Sequence, residues 1–256
     1  MELMHQLPPQ LKRLRLSGIL ETLEARTQQA ITGQWSYVDF LARLLEDEEE
    51  RRAQKQLALR IRRATLNTTK TLEGFDFNFN PSINRQQVLD LATCAYVRQK
   101  QNVLLCGPTG VGKTHLAQAL AHEACRRGYD VLFVNTHRML QHINGGRADG
   151  TLERRLQVYL RPELLVLDDF GLKPLRSPAP EDLYDVINER YERGSIMLTS
   201  NRAPTEWPDL FGDPLLASAG LDRLAHRATV LVITGSSFRS QGHRRLAEEV
   251  PIEPSA

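Results

Sequence analysis

The sequence predicts an α/β fold: a parallel sheet flanked by helices, preceded by a small all-helical region. Three observations carry this. Five short apolar runs, at residues 102–106, 131–135, 164–167, 196–200 and 230–233, alternate with segments of helical periodicity. Strands that alternate with helices of this length pair in parallel through crossovers. Residues 1–70 contain no comparable run, and a glycine-rich loop separates the first run from the helix after it.

Pro8-Pro9 precedes a helical pattern of Leu11, Leu14, Leu16, Ile19, Leu20 and Leu23, which Gly33 ends. Ser36 with Asp39 three residues on resembles a capping box and opens a second, long helix. The first half of that helix is amphipathic through Tyr37, Phe40, Leu41, Leu44 and Leu45, and Trp35, Tyr37 and Phe40 fit a core face. A helical domain over 1–70 follows. Residues 71–82, where Phe75, Phe77 and Phe79 alternate among Asn, Asp and Gly, predict an extended linker. The α/β domain then spans 83–240, with a tail over 241–256.

Bulk properties exclude more than they assign. A net charge of +2 over 256 residues does not by itself indicate a nucleic-acid partner, so local charge has to carry that argument. Cys94, Cys106 and Cys125 are odd in number and lack CxxC spacing, which suits reduced thiols and neither a disulfide framework nor a zinc site. No pair of histidines has metal-site spacing. Without a leader-like segment or a run long enough to span a bilayer, the expected location is the cytoplasm.

The residues Gly107, Pro108, Thr109, Gly110, Val111, Gly112, Lys113 and Thr114 satisfy GxxxxGK[ST] in full. A buried strand leads in and a helix leads out, stopped by Gly128. Glycines let backbone N–H groups turn inward around phosphates, and the helix N-terminus adds partial positive charge. Lys113 is expected to reach the β- and γ-phosphates of a nucleoside triphosphate, and the Thr114 hydroxyl to ligate Mg²⁺. The run Leu164-Leu165-Val166-Leu167-Asp168-Asp169 delivers carboxylates to the same sheet edge. Asp168 is expected to hold Mg²⁺ mostly through water, and Asp169 to polarise the attacking water. Asn201 ends another strand and can orient that water, although an Asn-Arg after a strand is more often a turn. Arg223 is by default a surface arginine; supplied across a subunit boundary, it would stabilise transition-state charge.

Local charge is sharper than bulk charge. Residues 46–50 are Glu-Asp-Glu-Glu-Glu, whereas 51–70 carry Arg51, Arg52, Lys55, Arg60, Arg62, Arg63 and Lys70 with no acid. Such a helix can engage DNA phosphates without reading sequence. Equally, its acidic half can pair with its basic half at i,i+4, as Glu48 with Arg52.

Together these elements resemble the AAA+ ATPases, and more narrowly the IstB-like transposition helpers, with DnaC-like helicase loaders as near relatives. The resemblance rests on Gly-Lys-Thr-His-Leu-Ala (112–117), Phe-Asp-Phe (75–77) before Pro81-Ser82-Ile83, and Ala148-Asp149-Gly150 with Leu152-Glu153-Arg154-Arg155-Leu156. Leu-Leu-Val-Leu-Asp-Asp-Phe-Gly (164–171), Thr-Ser-Asn-Arg (199–202) and Ser-Phe-Arg (237–239) complete it. It implies an AAA+ P-loop ATPase that uses ATP and Mg²⁺, with His115 beside the loop among the nucleotide-binding residues. It further implies Asn201 as the sensor 1 residue, Arg223 as an arginine finger acting on a neighbour's ATP, and Arg239 near the nucleotide. The helical element over 137–160, with Arg138, Arg147, Arg154 and Arg155, would line a DNA-facing channel.

Two departures from the family pattern matter. Asp169 stands where many AAA+ proteins have the longer Glu, so hydrolysis is expected to be slow. Few residues follow Arg239, too few for the helical lid of a full AAA+ module. The resemblance implies a helper that self-assembles on duplex DNA with ATP, recruits a transposase and is reset by hydrolysis. A helicase loader is the alternative, and a small-molecule P-loop kinase a distant third because the late segment offers no arginine-bearing lid.

Overall fold

The computed structural model describes residues 2–238. It divides into two compact units, Met1–Leu59 and Arg60–Ala256, so the division falls inside a helix rather than at the expected linker.

The first unit begins with α1 (Glu2–Arg13) and α2 (Ser17–Gly33), and most of α3 (Tyr37–Arg63) belongs to it. The single helix expected before Gly33 is two: Pro8 and Pro9 lie inside α1, and Arg15 turns the chain with φ 58°. The restart depends on a distant residue. Leu16, at the N-cap of α2, offers no side-chain acceptor. The Glu48 carboxylate of α3 supplies one, accepting from Gly18 N at 2.6 Å and Ile19 N at 3.4 Å. Gly18 permits this approach, since a Cβ there would lie 2.6 Å from Asp47 O. Arg26 clamps the Asp47 carboxylate through two hydrogen bonds of 2.9 and 2.7 Å and holds its pKa down to about 2.

The Ser36–Asp39 box is present, with Asp39 N donating to Ser36 Oγ at 3.1 Å. The expected core face of α3 is packed only in part, at half-buried Phe40 and buried Leu44. Tyr37 is 95% exposed, Val38, Leu41 and Leu45 are also exposed, and Leu44 is the buried leucine. Trp35 is half-buried beneath the Arg43 guanidinium, 4.6 Å from its ring.

The second unit carries the sheet. All five expected runs are strands: β1 (Val103–Cys106), β2 (Val131–Asn135), β3 (Leu164–Phe170), β4 (Ser195–Ser200) and β5 (Thr229–Val232). Their order is β2-β3-β4-β1-β5, and every neighbouring pair is parallel. The inner strands β1 and β4 are buried throughout, as strands covered on both faces must be, whereas the edge strands β2 and β5 are partly exposed. Short helices α4 (Arg85–Ala92) and α5 (Ala95–Arg98) precede the sheet, and α6 (Lys113–Arg126) follows β1. The helical element after β2 is a pair, α7 (Thr136–Ala148) and α8 (Leu152–Leu160); α9 (Ala179–Arg190) joins β3 to β4, and α10 (Pro208–Phe211) and α11 (Pro214–Ala225) join β4 to β5.

One buried charge ties this scaffold together. Arg190, 1% exposed at the end of α9, donates to the carbonyls of Tyr159, Leu160, Pro162, Glu163 and Ser195 at 2.8–3.3 Å. All three cysteines are free and buried, and burial pushes each thiol up to about 11. No described helix is long and apolar enough to cross a membrane.

Candidate nucleotide site

The chain runs from β1 outward to β2 and returns through β3 and β4, then places β5 on the other side of β1. Strand order therefore reverses at β1, and a crevice opens at the carboxyl ends of the strands, where α/β sheets bind ligands. The loop 107–112 leaves β1 at this edge. Gly107, Gly110 and Gly112 have φ of 150°, 88° and 102°. A Cβ on Gly107 would fall 1.9 Å from Ile233 O, so only glycine fits between β1 and the end of β5. Lys113 is buried, and its Nζ donates to Gly107 O and Pro108 O at 2.7 Å each, which arches the side chain back over the loop.

The acidic strand end meets this loop directly. Thr114 Oγ1 donates to Asp168 Oδ1 at 2.8 Å, and Thr199 Oγ1 donates to the same oxygen at 2.6 Å. Thr136 Oγ1 donates to Asp168 O at 2.9 Å. Asp168 is buried, whereas Asp169 is exposed to the crevice and accepts from Asn135 Nδ2 at 3.2 Å. A cleft of about 520 Å³ brings together Thr109 to His115, Asp169 and Asn201.

Its remaining wall was not foreseen. Residues 71–82 form a series of turns against the phosphate loop instead of an extended linker, so Phe75, Phe79 and Asn80 line the cleft with Phe238. The Phe75 ring stands edge-on to His115 at 5.1 Å and Phe79 edge-on to Phe238 at 4.8 Å. Asn80 is locked by donating to Thr234 O at 2.7 Å and accepting from Ser82 N at 3.2 Å. Burial holds the His115 imidazole below its ordinary pKa, so it is neutral at pH 7. The alternation of phenylalanines in a polar stretch was the available signal. For Asn135 and Thr136 there was none beyond their position at strand ends, and Thr199 lay in the Thr-Ser-Asn-Arg segment, which pointed to Asn201 instead.

The model of the family described as IstB-like ATP binding protein matches residues 9–247. The chain belongs to that family. An insertion-sequence ATP-binding protein of Mycobacterium tuberculosis is 42% identical over 90% of this chain and 92% of its own length. The IS21 ATP-binding protein of Pseudomonas aeruginosa is 39% identical over 94% and 91%. Among solved structures, the DnaC helicase loader aligns with a TM-score of 0.52 at 23% identity, over 60% of this chain and 91% of that one. AMPPCP-bound DnaA from Aquifex aeolicus aligns with a TM-score of 0.54 at 24% identity, over 74% and 58%. These likenesses identify the AAA+ fold, and the chain is a P-loop ATPase of the insertion-sequence ATP-binding family.

Other residues singled out in this IstB-like chain lie elsewhere. Arg223, on α11, donates to Ala219 O at 2.8 Å and lines a small cavity with Lys100, Asn102 and Arg190, by the amino ends of β1 and β4 and away from its own phosphate loop. Arg239 lies outside the described residues. Four of the candidate DNA-contacting arginines hold protein carboxylates: Arg51 with Glu21, Arg52 with Glu48, Arg147 with Asp182 and Arg155 with Asp149. Lys55, Arg62, Arg63 and Arg154 are exposed and Arg60 half-buried, and none of these five makes an ion pair among the described residues.

Proposed function

We propose that this ATPase is the nucleotide-controlled helper of an insertion-sequence transposase. With Mg²⁺ and ATP it assembles on duplex DNA, the assembly recruits the transposase, and hydrolysis releases it. The observation that carries the nucleotide chemistry is the Thr114–Asp168 hydrogen bond beside Lys113, which joins the phosphate loop to the acidic strand end. The transposition half is supported by relatives that are insertion-sequence ATP-binding proteins along nearly their whole length.

Loop amides and the start of α6 would hold the phosphates, with Lys113 against the β- and γ-groups. Thr114 and Asp168 fit Mg²⁺: the hydroxyl gives its proton to the carboxylate and keeps a lone pair for the cation. Bound Mg²⁺ would neutralise charge on the phosphates. Asp169 and Asn201 would orient the lytic water, Asp169 taking its proton as the oxygen attacks the γ-phosphorus and the bond to ADP breaks. The phenylalanine wall would take the base. Arg223, remote from its own loop, suits action on a neighbour's nucleotide, so hydrolysis would be slow until subunits assemble. Lys55, Arg60, Arg62, Arg63 and Arg154 are the arginines and lysine best placed to meet DNA phosphates.

Light scattering of the full chain with nonspecific duplex tests this. Large particles are expected with ATP and Mg²⁺, small ones with ADP, and small ones for Lys113→Ala under either condition. Assembly of Lys113→Ala on DNA as readily as the parent would end the proposal.

A further inference from the structure

Strand β3 ends irregularly. Its register against β4 runs Val166 with Met197 and Leu167 with Leu198, then resumes at Phe170 with Ser200. Asp168 and Asp169 therefore face Thr199 alone. Two residues opposite one make a β-bulge, a device that re-aims side chains beside sites of chemistry. In an unbroken strand, consecutive side chains leave on opposite faces, and one of two adjacent carboxylates would be lost to the cleft. Here Asp169 adopts φ 56°, a left-handed conformation that costs a residue with a Cβ. Something has to hold it there.

Thr199 has the right atoms in place. Asp169 N donates to Thr199 Oγ1 at 3.0 Å, and that Oγ1 lies 2.6 Å from Asp168 Oδ1. The amide can only donate, so it takes a lone pair of the hydroxyl and obliges the hydroxyl proton to go to the carboxylate. One hydroxyl thus substitutes for the ladder bond the bulge removes and fixes the first carboxylate as well. Both hydroxyls that reach the Asp168 carboxylate, from Thr114 and Thr199, fall on Oδ1; among the described residues no hydroxyl reaches Oδ2. Thr199 is 1% exposed and does not line the cleft, so it acts on the nucleotide only through its neighbours.

We propose that Thr199 is a positioning residue whose hydroxyl, opposite the bulge, locks Asp168 and Asp169 into their divergent orientations and so sets Mg²⁺ affinity and water activation together. This rests on the Mg²⁺–ATP reading above.

The test compares full-length parent, Thr199→Val and Thr199→Ser by titrating Mg²⁺ against binding of a fluorescent ATP analogue, with turnover measured in parallel. Removing a group that orients a metal ligand typically costs 10–100-fold in metal affinity. Thr199→Val should accordingly raise the Mg²⁺ concentration for half-saturation about tenfold or more. It should lower turnover even at saturating Mg²⁺, yet bind the analogue like the parent in EDTA. Thr199→Ser should restore both parent values. Parent-like Mg²⁺ dependence in Thr199→Val overturns the proposal, as does a serine variant as defective as valine, which would assign the effect to methyl packing. If Thr199→Val does not fold, Thr199→Ala takes its place against serine under the same criteria. A parent with no Mg²⁺-dependent nucleotide binding would defeat the underlying reading too, which separates the two failures.

Discussion

Asn135 donates its side-chain amide to the Asp169 carboxylate across the ends of β2 and β3, at 3.2 Å. The other end of the same side chain caps α7, its Oδ1 accepting from His137 N at 3.1 Å and Arg138 N at 3.4 Å. The helix pair after β2 and the carboxylate facing the cleft are thereby mechanically joined.

This link predicts opposite responses in stability and turnover. An amide that holds one carboxylate oxygen draws charge from it and restrains its swing toward a water. Asn135→Ala should raise ATP turnover in the absence of DNA several-fold, with ATP affinity unchanged, while lost capping lowers stability by about 1 kcal/mol. Asn135→Ser keeps a capping oxygen but is too short to reach Asp169, so it should raise turnover with little loss of stability. Steady-state phosphate release and urea unfolding measure the two; a fall in turnover in both variants refutes the restraint.

The arginines separate into two groups by what they already hold. Arg52 grips Glu48, the carboxylate that caps α2, so it serves the fold of the first unit. Lys55, Arg62 and Arg63 make no such pair among the described residues. Replacing those three by alanine should weaken duplex binding and flatten its dependence on log salt, by about 0.9 for each phosphate no longer neutralised. Arg52→Ala should instead lower the melting temperature and leave the salt slope unchanged. Fluorescence anisotropy over a salt series decides, and an unchanged slope in the triple variant removes this helix from the DNA surface.

What the sequence disclosed follows from the range of each interaction. The sheet was legible because buried parallel strands must be apolar throughout, and residues 103–106, 164–167 and 196–198 are. The phosphate loop was legible because its glycines are fixed by backbone conformation, as the collision of a Gly107 Cβ with Ile233 O illustrates. The Glu48 cap on α2, the bulge opposite Thr199 and the folding of 71–82 onto the loop were not, since each pairs residues distant in sequence. The stripe through Tyr37, Leu41 and Leu45 misled for a related reason: periodicity identifies an apolar face but does not say what covers it.

Arg190 is expected to dominate the stability of the second unit among its polar residues. Burial pulls its pKa down to about 10, so it remains charged at neutral pH, and its donors satisfy five carbonyls at the junction of α8, β3 and β4. Arg190→Met would leave those carbonyls without that donor and should cost about 3 kcal/mol or more. Arg190→Lys should recover little, because one ammonium cannot span all five. Guanidinium chloride unfolding measures the loss; a change below about 1 kcal/mol would mean that water replaces the guanidinium.

The phenylalanine wall makes a prediction that distinguishes base from phosphate recognition. Phe75 and Phe238 line the cleft with the loop, yet neither carries a group that can answer to the number of phosphates. Stacking of a base on an aromatic ring contributes about 1–3 kcal/mol. Phe238→Ala should therefore weaken ATP and ADP alike, by about tenfold each, and narrow the preference over triphosphates with other bases. Lys113→Ala should weaken ATP more than ADP. Because burial holds His115, against Phe75, below its ordinary pKa, its charge should not alter ATP affinity between pH 7 and pH 8. Calorimetric titration of ATP, ADP and a triphosphate with another base supplies these numbers; a Phe238→Ala defect confined to ATP would move the ring from the base to the γ-phosphate end of the cleft.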